Sequence, residues 1–269
     1  MHTILKISLV VAALAVLPAS GDSGPQPYLA AGNEPDAAKF LQAFPDPASG
    51  VGQYEVAVYE KTRAYETSSN PAESARWKLA TLDADLTTPA VLADFGCALG
   101  TALTPANAPH LATVFDRAKN DAGIVIANAK KDFHRDRPFI GNTQDTCVDR
   151  STVGNPPDYS PSYPSGHTTL SWMFALILAE IAPDRSTAIL ARGRAYGESR
   201  VVCGMHWPSD VEAGRTTGAA VFAALQSDPG FRADVDAART EVAIARANPA
   251  PPDASRCAME NAAAAKQPW

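Results

Sequence analysis

Long apolar runs are scarce in this chain, and their scarcity excludes most membrane architectures. Beyond residue 21 no stretch stays apolar over the roughly 20 residues that a membrane-crossing helix needs. The one candidate, Ile7 to Leu17, is too short; it follows Lys6 and precedes the small residues Ala19-Ser20-Gly21, the pattern of a signal peptide over residues 1–21 with cleavage near Gly21. No cysteine follows it at which a lipid could be attached, so export in soluble form is expected. Positive charge is also in deficit. Lys and Arg total 23 against 29 Asp and Glu, a net charge of −6, which argues against nucleic acid or an anionic membrane surface as a partner. Any anionic ligand must be captured by local cations. The four cysteines form no CxxC pair and the histidines no HxxxH spacing, so no structural zinc site is expected. An even number of cysteines in an exported chain points instead to disulfides, for which the sequence permits three connectivities.

Strand-like alternation, internal repeats and low-complexity arrays are missing too, and what remains is helical. Residues 22–50 carry Pro25, Pro27, Pro35, Pro45 and Pro47 and read as an extended arm or loose lead-in. From about residue 51 a 3.6-residue period sets in. Its clearest run places Leu111, Val114, Phe115, Ala118, Ala122, Val125 and Ala129 on one face. Further helices are expected over Ser74–Leu86, from Ser165 through Ile181 with Pro183 as the stop, from Thr187 to about Glu198, and from Pro208 to about Leu225. The expected architecture is all-α, a single-domain helical bundle over residues 51–245, with the Pro-rich loop from Gly141 to Pro164 between helices and an Ala/Pro-rich tail over 246–269.

Three clusters are polar where their neighbours are apolar: Lys130 with Arg137-Pro138, Pro164-Ser165-Gly166-His167, and Ser199-Arg200 with His206 and Asp210. Singly each has an ordinary explanation as a surface cation, a helix cap or a structural histidine. Together they compose one device. Lys130, Arg137 and Arg200 can surround a tetrahedral dianion, and Ser165 with Gly166 opens a helix whose free amides favour negative charge. Displacement at phosphorus needs a nucleophile on one side and a proton donor on the other, and two histidines are at hand. His206 and Asp210, four residues apart, share a face, so that the carboxylate can fix the imidazole tautomer. Of the other histidines, His134 is expected in a supporting role near the pocket and His110, after Pro109, in a loop.

The ordered set Lys130-x6-Arg137-Pro138, Pro164-Ser165-Gly166-His167 and Ser199-Arg200-x5-His206-x3-Asp210 resembles the tripartite signature of the type 2 phosphatidic acid phosphatase (PAP2) superfamily, shared with vanadium haloperoxidases. Within it the chain is most similar to bacterial class A non-specific acid phosphatases, through Arg76-Trp77-Lys78-Leu79-Ala80, Leu178-Ala179-Glu180-Ile181 and Ser199 to Gly204 as well, over roughly residues 50–245. The resemblance implies an acid phosphatase that needs no metal or other cofactor. Phosphate would be bound by Lys130, Arg137, Ser165, Gly166, His167 and Arg200, with His206 as nucleophile, Asp210 as its orienting partner and His167 as general acid. It further implies a periplasmic or secreted bacterial enzyme acting broadly on small phosphomonoesters, with phosphotransfer to alcohols as a side activity. Inorganic phosphate or vanadate would be active-site ligands, and a homo-oligomer is compatible with it. Cys147 with Cys203, the pair nearest the active-site segments, is taken as one disulfide, which leaves Cys97 with Cys257. One departure stands out: the family often has Gly-Ser-Tyr before Pro-Ser-Gly-His, whereas this chain has Pro161-Ser162-Tyr163, and proline cannot take the positive φ open to glycine. The loop entering the cradle is therefore expected to run differently. Three rivals carry parts of the same pattern. A membrane lipid phosphatase would need long apolar helices, a haloperoxidase is usually a much longer chain, and a non-catalytic phosphate binder would not need His206 paired with Asp210.

Overall fold

A computed structural model describes residues 24–269; the signal-peptide reading falls on residues outside that range. Ten α-helices and no strand occur among the described residues, α1 to α10 at Gly50–Arg63, Pro71–Leu82, Thr88–Asp94, Gly96–Leu99, Pro109–Phe133, Gly166–Ile181, Ser186–Val202, Pro208–Leu225, Pro229–Ala247 and Ala254–Ala264. None of them is long and apolar enough to cross a membrane. The all-α expectation holds, and the helix starts follow local chemistry. Asn70 caps α2 by accepting the Ala72 amide at 3.0 Å, with Pro71 in the first turn, where a missing N–H costs nothing. Pro109, Pro208 and Pro229 open α5, α8 and α9 in the same way.

The seven residues expected on one face of α5 are all buried. They join α6, the most apolar helix, whose Met173, Phe174, Ile177 and Leu178 sit at the centre of the main core, and Phe115 stacks on Phe174 with centroids 4.3 Å apart. Helices α7 and α8 flank α6 closely, and small residues permit it. A Cβ added at Gly214 or Gly218 of α8 would lie 2.8 Å from the Ser165 carbonyl oxygen or 2.5 Å from that of Thr169, so alanine at either position would push α8 off α6. That close approach matters because Ser165 and Asp210 stand at the adjoining ends of these two helices, where the Ser165 amide donates to the Asp210 carbonyl at 3.0 Å.

The lead-in arm is packed rather than loose. Tyr28 and Leu29 are buried, and their amides both donate to the Asp121 carboxylate at 2.9 Å. Proline breaks secondary structure but does not prevent burial, and of the two readings the extended arm is the one that fits this segment. His110 belongs to the first turn of α5 and not to a loop: Pro109 starts the helix, and the His110 ring Nδ1 pairs with Glu241 of α9 at 2.5 Å. The segment after residue 245 carries α10, which lies against α2 and is tied to α4 by the Cys97–Cys257 disulfide. The second disulfide, Cys147–Cys203, fastens the long α5–α6 loop to the end of α7, three residues before His206.

Candidate active site

The three motif clusters meet at one end of the bundle. Lys130 comes from the last turn of α5, Arg137 from the loop after it, Ser165 to His167 from the start of α6, and Arg200 from the last turn of α7. His206 lies in the turn joining α7 to α8, and Asp210 in the first turn of α8. Two helix N-termini thus face two C-terminal segments that carry cations. Gly166 and His167 are the first residues of α6, so their amides have no intrahelical acceptor, and Ser165 caps the helix, its Oγ accepting from the Thr168 amide at 3.4 Å and from the Thr168 hydroxyl at 2.9 Å.

The geometry at His206 assigns its tautomer. Nδ1 lies 3.3 Å from Asp210 Oδ2, an acceptor, while Nε2 lies 3.3 Å from Arg137 Nη1, which can only donate. The proton therefore belongs on Nδ1, and Nε2 carries a lone pair. Asp210 Oδ2 also takes the Trp207 amide at 2.8 Å, which fixes the carboxylate at the start of α8. His167 Nε2 faces the Ala84 carbonyl at 3.1 Å, so its proton sits there and Nδ1 is the free nitrogen.

The cations differ in how their donors are used. Arg137 donates to the Ser160 carbonyl at 2.7 Å and the Met205 carbonyl at 3.0 Å. Lys130 donates to the Pro161 carbonyl, so the Pro161-Ser162-Tyr163 segment, where the chain departs from the family pattern, runs alongside two of the three cations. Arg200 is fully buried, yet its Nε and Nη1 have no hydrogen-bond partner among the described residues. Buried guanidinium donors left without acceptors are costly and call for an anion.

Residues 121–232 match the family described as the PAP2 superfamily. Over 228 residues the chain is 41% identical to an acid phosphatase of Zymomonas mobilis, covering 83% of each protein. It is 33% identical over 235 residues to a non-specific acid phosphatase of Providencia stuartii, across 85% of this chain and 91% of that one. A non-specific acid phosphatase of Salmonella typhi is 37% identical over 172 residues, 63% of this chain and 67% of its own. The chain belongs to the PAP2 superfamily.

In this PAP2 protein burial acts on every shifted titratable group of the site, and neighbouring positive charge on all but Arg200. Burial, then the Arg137, Lys130 and Arg200 charges, hold His206 well below the usual imidazole range. His167 is lowered likewise, first by burial and then by Arg200, although part of its surface remains accessible. Burial, with Arg137 beside it, brings the Lys130 ammonium down to about 7. Burial raises Asp210, against the pull of Arg135. Two buried residues that the sequence reading did not single out belong to the same assembly. Arg135 bonds Asp210 Oδ1 at 2.6 Å, and Glu55 of α1 bonds the other arm of Arg135, also at 2.6 Å. His134 caps α5 in a left-handed conformation at φ 47° and lines a cleft of about 530 Å³ beside Lys130, with Gly123, Ile126, Ala127, Ser160 and Pro161.

Proposed function

We propose that this acid phosphatase hydrolyses phosphate monoesters by transferring the phosphoryl group first to His206 and then to water, with protein cations neutralising the phosphate in place of a metal ion. The observation that carries the proposal is the His206 imidazole itself: buried, held neutral, its Nδ1 proton facing Asp210 and its Nε2 lone pair set among Lys130, Arg137 and Arg200. The phosphate oxygens would be held by the unpartnered Arg200 donors, by Arg137 and Lys130, and by the Ser165 hydroxyl with the free amides at the start of α6. Nε2 attacks phosphorus as the ester P–O bond breaks, and His167, brought to the imidazolium by the bound dianion with its second proton on Nδ1, delivers that proton to the departing alkoxide. In the second half, neutral His167 takes a proton from water, whose oxygen displaces His206 from phosphorus. An alcohol in place of that water would give phosphotransfer.

A leaving group that extended past Lys130 into the wide, largely apolar cleft there would meet few discriminating contacts, which is in keeping with broad action on small phosphomonoesters. Vanadate, a five-coordinate mimic of phosphorus in flight, should inhibit competitively. The two disulfides and the exported character of the class support a periplasmic or secreted location. Turnover of an aryl phosphate in excess chelator tests the metal-free chemistry. The expected rate equals that without chelator; loss of turnover restored by a divalent metal would refute it.

The lowered Lys130 ammonium gives a second test. With its pKa at about 7 in the free site, Lys130 is largely neutral at pH 8, and a bound dianion favours the charged form. Phosphate binding at pH 8 is therefore accompanied by uptake approaching one proton. Affinity falls by up to about tenfold per pH unit above 7, in keeping with an acidic optimum. Calorimetry of inorganic phosphate binding in two buffers of different ionisation enthalpy measures this. Lys130→Arg, permanently charged, should abolish the Lys130 contribution, and wild-type binding at pH 8 without proton uptake would contradict the reading.

A further inference from the structure

Arg135 stands only two residues before Arg137, yet it turns away from the phosphate cradle. Its Nη1 donates to Asp210 Oδ1 at 2.6 Å and to the Ser209 hydroxyl at 2.7 Å, and its Nη2 donates to Glu55 Oε2 at 2.6 Å. Glu55 in turn accepts the Ser209 amide on Oε1 at 2.7 Å. The guanidinium carbon lies 4.9 Å from the Phe44 ring centroid and 5.4 Å from that of Trp207, so aromatic faces also hold the fork. Glu55, Arg135 and Asp210 are all nearly inaccessible, at 2%, 7% and 0% exposure. A continuous chain of charge-assisted bonds therefore runs from α1 to the imidazole: Glu55, Arg135, Asp210, His206.

A carboxylate without exposure beside a neutral imidazole is protonated unless a cation keeps it charged. Taking the His206 nucleophile as proposed above, we infer that Arg135 and Glu55 are positioning residues, the guanidinium keeping Asp210 ionised and aimed at His206 Nδ1 while Glu55 holds the guanidinium in place. Neither touches the substrate. Other charges and titratable groups around Asp210 are His206 in the preceding turn, Lys130 at the end of α5, and Arg137 and Tyr163 in the loop between α5 and α6. Arg135 is the one among them that bonds Asp210 Oδ1.

The arrangement predicts opposite effects from its two members. The Asp210–His206 pair ceases to act when it takes up a proton, and that uptake sets the acid limb of the pH profile. Removing the Arg135 charge makes protonation easier and moves the limb up in pH. Removing the Glu55 charge makes it harder and moves the limb down. A role confined to packing would lower the amount of active enzyme and leave the limb where it was.

The test is the pH profile of kcat/KM for Glu55→Gln, Arg135→Lys and the double variant Glu55→Gln/Arg135→Met. The double variant removes the pair together, so that Glu55 is not left as an unpaired buried charge. Circular dichroism confirms the fold of each, and His206→Ala is assayed beside them. Glu55→Gln is expected to shift the acid limb down by about half a unit to one unit. The double variant, which loses the charge in direct contact with Asp210 as well as the more distant one, should shift it above the wild-type limb and lower kcat by about 10- to 100-fold. Arg135→Lys, keeping the charge but not the fork, should retain the wild-type limb with an intermediate kcat. Limbs that coincide in all variants, or that move in the same direction for Glu55→Gln and the double variant, overturn the inference while leaving the nucleophile intact. Turnover persisting in His206→Ala overturns the nucleophile, and this inference with it.

Discussion

Replacing His206 by alanine should lower kcat for an aryl phosphate by at least about 1,000-fold while the protein stays folded. The size of the loss follows from what the side chain supplies. Its Nε2 is the free lone pair set against the Arg137 donor, and the depressed pKa keeps it deprotonated at the acidic pH where Lys130 is fully charged. Under the proposed mechanism acidity therefore serves phosphate binding without silencing the nucleophile. Loss of the imidazole does not strand Asp210, which keeps its bonds to Arg135 and to the Trp207 amide, so the effect on stability should be modest beside the effect on rate. Steady-state kinetics in chelator on the folded variant checks this. A fall of less than tenfold would mean that phosphorus is attacked by something else.

If His167 is the general acid, as proposed, His167→Asn should have a different signature, because a general acid matters in proportion to how badly the leaving group needs a proton. For an alkyl or sugar phosphate, whose alkoxide is a poor leaving group, the loss should be about 100- to 10,000-fold. For a nitrophenyl phosphate, whose anion departs unaided, phosphorylation should be far less affected. The return step then becomes slow, since the variant lacks a base to activate water. A burst of about one nitrophenolate per site, followed by slow turnover, is the expected stopped-flow trace. Equal losses for the two ester classes, without a burst, would remove His167 from proton transfer.

The sequence was most informative where structure and chemistry are local. Ser165 before Gly166, Pro208 before Asp210 and the apolar period through Leu111 and Ala129 each declare an element within a few residues, and those helices lie where the pattern placed them. The two disulfides pair as chosen, through cysteines 56 and 160 residues apart. What escaped depends on residues distant in sequence. Arg135 meets Asp210 across 75 residues and Glu55 across 80, and no spacing rule flags either contact. Arg135 was hidden further by its neighbour Arg137, which belongs to the motif. The docking of the arm through Tyr28 and Leu29 was not legible because proline content reports the absence of regular structure and says nothing of a docking site such as the Asp121 carboxylate. Helices α9 and α10 were not marked out within the stretch following Leu225, although Asp228-Pro229 is a start signal of the kind recognised elsewhere in the chain.

Direct observation of the phosphoenzyme would decide the mechanism. Wild type and His167→Asn would be mixed with nitrophenyl phosphate, quenched in alkali within the first turnover and digested, and the phosphopeptide mapped by mass spectrometry. The mechanism predicts one phosphoryl group on His206, stable in alkali and lost in acid as a phosphoramidate must be, accumulating most in His167→Asn. Phosphate on another residue, or no covalent phosphate during a demonstrated burst, would contradict it.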